Sequence, residues 1–294
     1  MAENSLSDSL LAYIVDRSMD GILSAVFDAY SLRQRPDVLI QDGEPLPLFC
    51  NDSHRVVTTE EKSRRVWAGL EKCLSHEALR LLPISYLSED RELDTPLFHY
   101  IYKVFTPSES PHKGGLSPNS NGYPPHGKVG GDFHGGTGGG YNFADPDVLF
   151  VTNTARRVMH EALRMKQFVR FQKALDGTYL AVVRPDHNVL PLVTDHFQDR
   201  FRDQPWLLYD ARRHYGYYYD QHTVTRVTFE DSSSLPFDLR TGQLSEKLLS
   251  ENDQLFQRLW CTYFKAICIR ERLNPKKQLN DMPRRYWAYM TEKQ

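Results

Sequence analysis

The sequence predicts an α+β fold, with a helical N-terminal part and a mostly antiparallel sheet packed with helices in the C-terminal part. Apolar residues in the first hundred positions recur at helical spacing. Short alternating or clustered apolar runs, typical of strands, dominate positions 168–229. Helices that precede a block of strands favour the α+β class over a purely alternating α/β chain.

The N-terminal elements follow from this spacing and from capping residues. A short strand is predicted at 11–15, followed by helices at 20–30, 59–74, 79–87 and 95–105. Thr58 or Thr59 can cap the second helix, because a Thr hydroxyl accepts a hydrogen bond from the first helical turn. The first hundred residues are therefore expected to be mostly helical.

The C-terminal part begins with the clearest helix, predicted at 146–166. One arc of this helix carries Ala155, Val158, Met159, Ala162 and Met165. The opposite arc carries Arg156, Arg157, His160, Glu161 and Arg164. The spacing therefore predicts that one face packs and that the other is cationic.

The remaining elements alternate between strands and helices. Strands at 168–171 and 178–183 should form a hairpin through a turn at 176–177. A helix at 189–201, strands at 206–209, 215–219 and 223–229, a long helix at 244–269 and a last element at 283–290 follow. The last element begins with a proline, a residue favoured at a helix start.

Glycine is distributed very unevenly. Eleven of the 17 glycines and five of the 17 prolines lie within 107–142, a stretch without a hydrophobic period. This composition predicts a loop or linker. The predicted organisation is a mainly helical part at 1–106, the Gly/Pro-rich insert at 107–142 and an α+β part at 143–294. The first and last parts could also form one domain.

The net charge of −2 hides a separation of charge along the chain. Residues 1–106 carry 11 Lys and Arg against 17 Asp and Glu. Residues 143–175 carry 6 against 3, and residues 260–294 carry 8 against 3. Positive segments of this kind suit a polyanionic partner, although solvated surfaces have the same composition.

Several classes of site are excluded or disfavoured by the motifs. The run from Gly122 to Lys128 resembles a phosphate loop, but Val129 replaces the hydroxyl residue and two prolines remove amide donors. The sequence predicts no cofactor and no metal site. Four scattered cysteines predict reduced thiols in a cytoplasmic protein, and the absence of a long apolar run predicts that no membrane helix is present.

Two basic stretches are the candidate nucleic-acid-binding segments, because Arg and Lys neutralise phosphates and aromatic rings stack on bases. The first contributes Arg156, Arg157, His160, Arg164, Lys166 and Arg170. The second contributes Lys276, Lys277, Arg284, Arg285, Tyr286 and Trp287. Tyr286 and Trp287 could instead anchor the C-terminus in the core, which spacing alone favours.

Separated motifs in the same order resemble those of a bacterial family described as DNA-repair or DNA-metabolism proteins, a domain of unknown function. They are the runs at 19–30, 142–148, 164–171, 185–191 and 282–287. The resemblance covers nearly all of the chain except the insert. It implies a radical-SAM partner protein and, in some members, fusion to a uracil-DNA-glycosylase-like domain, which is not found in this sequence.

Three functions are consistent with these observations. The first is a DNA-repair-associated nucleic-acid-binding protein that acts with a radical-SAM or glycosylase partner. The second is an adaptor for that partner without direct DNA contact. The third is an enzyme on damaged bases, with Asp145, Asp147, His160, Glu161 and His187 as candidate acid–base groups; the catalytic residues and the reaction stay open.

Deletion of most of the Gly/Pro-rich insert tests whether the fold needs it. Because the sequence on both sides of it carries the family resemblance, removal of residues 110–140 should leave the fold intact. Circular dichroism and the thermal midpoint of the shortened chain should match those of the full chain. A deletion that abolished folding would show that the insert is structural.

Overall fold

The structure is a computed structural model that describes residues 10–106, 144–229, 237–245, 248–266 and 275–293. The Gly/Pro-rich insert predicted at 107–142 lies outside these residues. The chain divides into two compact units, Met1–Ala155 and Arg156–Gln294. Within the described ranges, no helix combines the length and the apolar character that crossing a bilayer requires.

The first unit contains a small parallel sheet that the sequence did not fully predict. Its strands are β1 (Leu10–Val15), β2 (Val38–Gln41) and β3 (Cys50–Arg55), in the order β2-β1-β3. Both outer strands pair with β1 in parallel. Only β1 was expected, because β2 has four residues and β3 is polar, so neither shows a strand pattern.

The helices of the first unit confirm the predicted ones. They are α1 (Met19–Leu32), α2 (Glu60–Cys73), α3 (His76–Tyr86) and α4 (Asp94–Phe105). Thr59 is the N-cap of α2, and its hydroxyl accepts from the backbone N–H of Lys62. The core of this unit buries Tyr13 and Ile22 beside Leu97 and Phe98.

The second unit is built on a five-stranded sheet whose strands follow in chain order. They are β4 (Gln172–Lys173), β5 (Tyr179–Val183), β6 (Trp206–Asp210), β7 (Tyr215–Tyr219) and β8 (Val224–Val227). Three neighbouring pairs are antiparallel, and β5 with β6 is parallel. The predicted hairpin exists, but its first strand begins at Gln172 because residues up to Phe168 continue the preceding helix.

Four helices accompany this sheet or lead into it. They are α5 (Pro146–Phe168), α6 (Leu190–Arg200), α7 (Glu251–Ala266) and α8 (Pro275–Asp281). The long helix predicted at 244–269 begins only at 251, because Leu244 and Leu249 instead form β-bridges with Phe237 and Ala174. The final predicted helix is a 3-10 segment, Arg284–Tyr289, and α8 was not predicted.

The connection β5–α6–β6 positions the candidate site. Because β5 and β6 are parallel, their carboxyl ends lie at the same edge of the sheet. The loops at 184–189 and 211–214 follow these two ends directly. Loops at the carboxyl ends of parallel strands are where α/β proteins commonly bind ligands.

Candidate nucleic-acid interface

Helix α5 has the two faces that its sequence predicted, with one exception. Ala155, Val158, Ala162 and Met165 are buried, and Met159 is half-buried. Arg156, Arg157 and His160 are exposed, and Arg164 is half-buried. The exception is Glu161, which was predicted on the exposed arc but is only 2% exposed.

The Glu161 carboxylate is buried because four donors surround it. Its Oε1 accepts the backbone N–H of Asp186 at 3.0 Å, and its Oε2 accepts that of His187 at 2.7 Å. Arg285 Nη2 lies 2.9 Å from Oε1, and the Tyr286 hydroxyl lies 3.0 Å from the same oxygen. A buried carboxylate needs such partners, since desolvation without them costs several kcal/mol.

Glu161 therefore joins two of the motifs that carry the family resemblance. The run at 185–191 supplies the two amide donors, and the run at 282–287 supplies the guanidinium and the hydroxyl. These runs are about 95 residues apart along the chain. In the folded second unit they meet at one carboxylate.

The inward orientation of Glu161 decides the charge of the outer face of α5. Between Asp147 and Asp176, Glu161 is the sole acidic residue of the sequence. Since its carboxylate is buried among internal donors, the charged side chains that α5 exposes beyond residue 155 are all basic. Beyond residue 155, this face of α5 therefore attracts anions without competition from an exposed carboxylate of the same stretch.

Arg285 and Tyr286 are the side-chain partners of the buried Glu161 carboxylate. The guanidinium of Arg285 donates to the Tyr286 hydroxyl at 2.7 Å and lies over the Tyr286 ring. Burial would lower the pKa of Arg285, but its contacts with Tyr286 and nearby carboxylates hold that pKa above its ordinary value. Burial also raises the pKa of Tyr286, so its hydroxyl stays protonated and donates to Glu161.

Tyr286 and Trp287 differ in their surroundings. Tyr286 is 4% exposed and packs against Phe168, with ring centroids 5.6 Å apart. Trp287 is half-buried and donates its indole N–H to the carbonyl of Met282 at 3.0 Å. Of the two rings, Trp287 is the one with surface left for a ligand.

The two predicted basic segments lie against each other in the second unit. Arg164 Nη2 lies 3.4 Å from the carbonyl oxygen of Asn280, at the end of α8. Arg170 forms an ion pair of 2.8 Å with Glu292, whose side chain is buried. Burial raises the pKa of Glu292, but Arg170 outweighs this effect and the pKa is lowered. Arg170 and Arg285 therefore have internal carboxylate partners.

The other predicted cations are exposed around this junction. Lys276, Lys277 and Arg284 are exposed on α8 and on the 3-10 segment after it. Lys166 is exposed near the end of α5. Burial and the charges of Lys166 and Arg200 lower the pKa of His196 on α6, and Asp199 partly opposes this effect.

The loop at 211–214 holds functional candidates that the sequence reasoning missed. The Asp210 carboxylate accepts the backbone N–H groups of Arg212 and Arg213, in a turn that folds both arginines back. Arg212 and Arg213 then donate to the carbonyl oxygen of Asp186, each at 2.9 Å. An Asp at the end of a strand, separated by one alanine from an Arg pair, is the sequence signal that could have identified them.

Two of the residues considered for acid–base chemistry, Asp145 and Asp147, lie at the start of α5. Asp145 Oδ1 accepts the backbone N–H of Asp147 at 2.9 Å, as helix-capping acids do. Lys103 Nζ lies 2.7 Å from a carboxylate oxygen of each aspartate. Among the described residues, no three His, Cys, Asp or Glu side chains are arranged to hold a metal ion.

We expect Glu161→Gln to destabilise the protein by about 3 kcal/mol, because it leaves buried donors without their charged partner. The free energy of unfolding in urea measures this loss. The matched control is Asp199→Asn, which removes a carboxylate from an exposed ion pair with Arg202 and should cost under ~1 kcal/mol. Equal losses in the two variants would show that Glu161 does not hold the cluster together.

Comparison with known proteins places the chain in a family. A family model described as a domain of unknown function, DUF4130, matches residues 132–292, which is more than half of the chain. No curated protein and no solved structure matches the sequence. The matched residues include α5, the whole five-stranded sheet and both basic segments. The chain is therefore a member of the DUF4130 family.

Proposed function

We propose that this chain is a nucleic-acid-binding protein associated with DNA repair, and that the outer face of α5 binds the phosphate backbone. The observation that carries the proposal is the burial of Glu161, which leaves only basic charged side chains on that face. Lys and Arg that contact phosphates release condensed counterions, and this release supplies much of the binding free energy.

The second basic segment, residues 276–287, extends the positively charged face of α5. The contact of Arg164 with Asn280 brings the end of α8 beside α5. Lys276 and Lys277 then add two exposed cations, and Arg284 adds a third. A surface that joins cations from several elements can contact phosphates over a longer stretch of nucleic acid than the face of α5 can alone.

Trp287 is the aromatic residue that we assign to base contact. It is half-buried, and the cations of Arg284 and Lys293 lie 5.9 Å and 4.9 Å from its ring centroid. An indole ring beside cations is typical of sites that bind single-stranded nucleic acid. Tyr286 is assigned a positioning role, because its ring is buried and its hydroxyl is bound to Glu161.

The proposal includes a partner protein. The resemblance of the motifs implies a radical-SAM protein or a uracil-DNA-glycosylase-like protein, which would supply the chemistry on the damaged base. We place this role in the cytoplasm, where cysteine thiols such as those of Cys50, Cys73 and Cys261 stay reduced. The role of this chain is then to hold the nucleic acid for its partner.

We expect the double variant Arg156→Ala/Arg157→Ala to bind single-stranded DNA about tenfold more weakly at low salt. Two lost phosphate contacts should also reduce the slope of log affinity against log salt by about 1.4. Fluorescence anisotropy with a labelled oligonucleotide, repeated over a range of salt concentrations, measures both quantities.

The matched control is Arg64→Ala/Arg202→Ala, which removes two equally charged residues from exposed ion pairs elsewhere. It should leave affinity and slope almost unchanged. If both double variants bound DNA as the unmodified protein does, α5 would not be the interface. Retained binding to a co-purified radical-SAM partner, without affinity for DNA, would favour the adaptor function instead.

A further inference from the structure

Three arginines converge on the loop that follows β5. Arg212 and Arg213 each donate to the carbonyl oxygen of Asp186 at 2.9 Å. Arg285 contacts the Asp186 carboxylate with Nη1, and Arg212 Nη1 lies 3.7 Å from the other carboxylate oxygen. The convergence lies at the carboxyl ends of two parallel strands, β5 and β6.

Two of these arginines are fixed from the buried side. Arg213 Nη1 lies 2.8 Å from the carboxylate of Asp210, which is fully buried. Arg285 Nη2 lies 2.9 Å from the buried Glu161. Each buried acid is therefore matched by one guanidinium, and these pairs hold the planes of both guanidinium groups in place.

The ion pairs that Asp186 forms with Arg212 and Arg285 are accessible to solvent. The side chains of Asp186, Arg212 and Arg285 are 49%, 50% and 39% exposed. An ion pair with this exposure contributes little to stability, so another anion can replace its carboxylate at small cost. The buried pairs of Arg213 with Asp210 and of Arg285 with Glu161 stay in place when the anion is replaced.

The backbone of the loop is held while the Asp186 side chain remains exchangeable. The N–H of Asp186 is bound by Glu161, and its carbonyl oxygen is bound by Arg212 and Arg213. Two residues further on, Asn188 Oδ1 accepts the hydroxyl of Tyr215. Rotation of one side chain therefore suffices to expose the two outer guanidinium groups.

We propose that Arg212 and Arg285 form a binding site for a phosphate group, and that the Asp186 carboxylate occupies this site until the phosphate displaces it. A carboxylate and a phosphate present similar pairs of oxygens to a guanidinium, and the phosphate carries the greater charge. The site lies on the loop side of Glu161, not on the outer face of α5. It therefore stands whether or not that face binds nucleic acid.

The test is a titration with inorganic phosphate at constant ionic strength, followed through the NMR signals of the arginine Nε–H groups. Arg212→Ala should weaken saturable phosphate binding at least tenfold. Asp186→Asn should tighten binding about fivefold, equivalent to ~1 kcal/mol, because it removes the competing charge. Arg202→Ala, which changes an exposed arginine in another loop, should bind phosphate as the unmodified protein does.

The change in Asp186→Asn distinguishes this site from a purely structural ion pair. If Asp186 only stabilised the fold, its substitution would lower stability without strengthening phosphate binding, and the proposal would fail. Unchanged binding in Arg212→Ala would overturn it as well. Binding of Arg212→Ala to oligonucleotides with and without a 5′-phosphate identifies the source of the phosphate. If the substitution weakens binding only of the phosphorylated oligonucleotide, the site takes a terminal phosphate. If it weakens binding of both equally, the site takes an internal phosphodiester.

The phosphate result is separable from the proposed function of α5. The variant Arg156→Ala/Arg157→Ala keeps Arg212, Arg285 and Asp186, so it should retain phosphate binding while it loses affinity for DNA. If it lost inorganic phosphate binding to the same extent as Arg212→Ala, the phosphate would bind on α5 and the proposed site would be wrong.

Discussion

A carboxylate inside a protein is costly unless donors surround it, and the arrangement of the second unit depends on how Glu161 meets this constraint. Two amide groups of the loop after β5, one guanidinium and one phenol hydroxyl converge on it. These donors come from segments that are far apart in the sequence, so none of them is in place unless the sheet, α5 and the C-terminal segment have assembled. The carboxylate therefore couples the position of the loop to the position of Arg285.

Glu161 also gives the two faces of α5 different charges, because its carboxylate lies on the inner face. Toward the interior, Glu161 contacts the guanidinium of Arg285 and the backbone of the loop after β5. Toward solvent, the same helix exposes Arg156, Arg157 and Lys166. The two proposed anion sites thus share one cause. The face of α5 is positive because the acid points inward, and the loop site is ordered because the acid holds Asp186 and Arg285 from behind.

Local patterns predicted most helices and strands, while long-range contacts decided the parts that were missed. The apolar arc of α5 followed from its spacing, since packing of a helix repeats every few residues. The inward side chain of Glu161 did not, because its partner Arg285 lies 124 residues later. The strands β2 and β3 were missed for a similar reason: their pairing with β1 defines them, and their own residues do not. Arg212 and Arg213 were not predicted because they meet Asp186, 26 and 27 residues earlier, only in the folded chain.

The measurement that tests the central claim most directly is a lysine-acetylation footprint of the full chain with and without single-stranded DNA. Mass spectrometry then gives the protection of each lysine. If the nucleic acid binds at the junction of α5 and α8, Lys166, Lys276 and Lys277 should be strongly protected, and Lys72 on α2 should not be. Acetylation of Lys166, Lys276 and Lys277 that stayed unchanged at DNA concentrations that saturate binding would contradict this assignment, because the nucleic acid would then lie elsewhere on the protein.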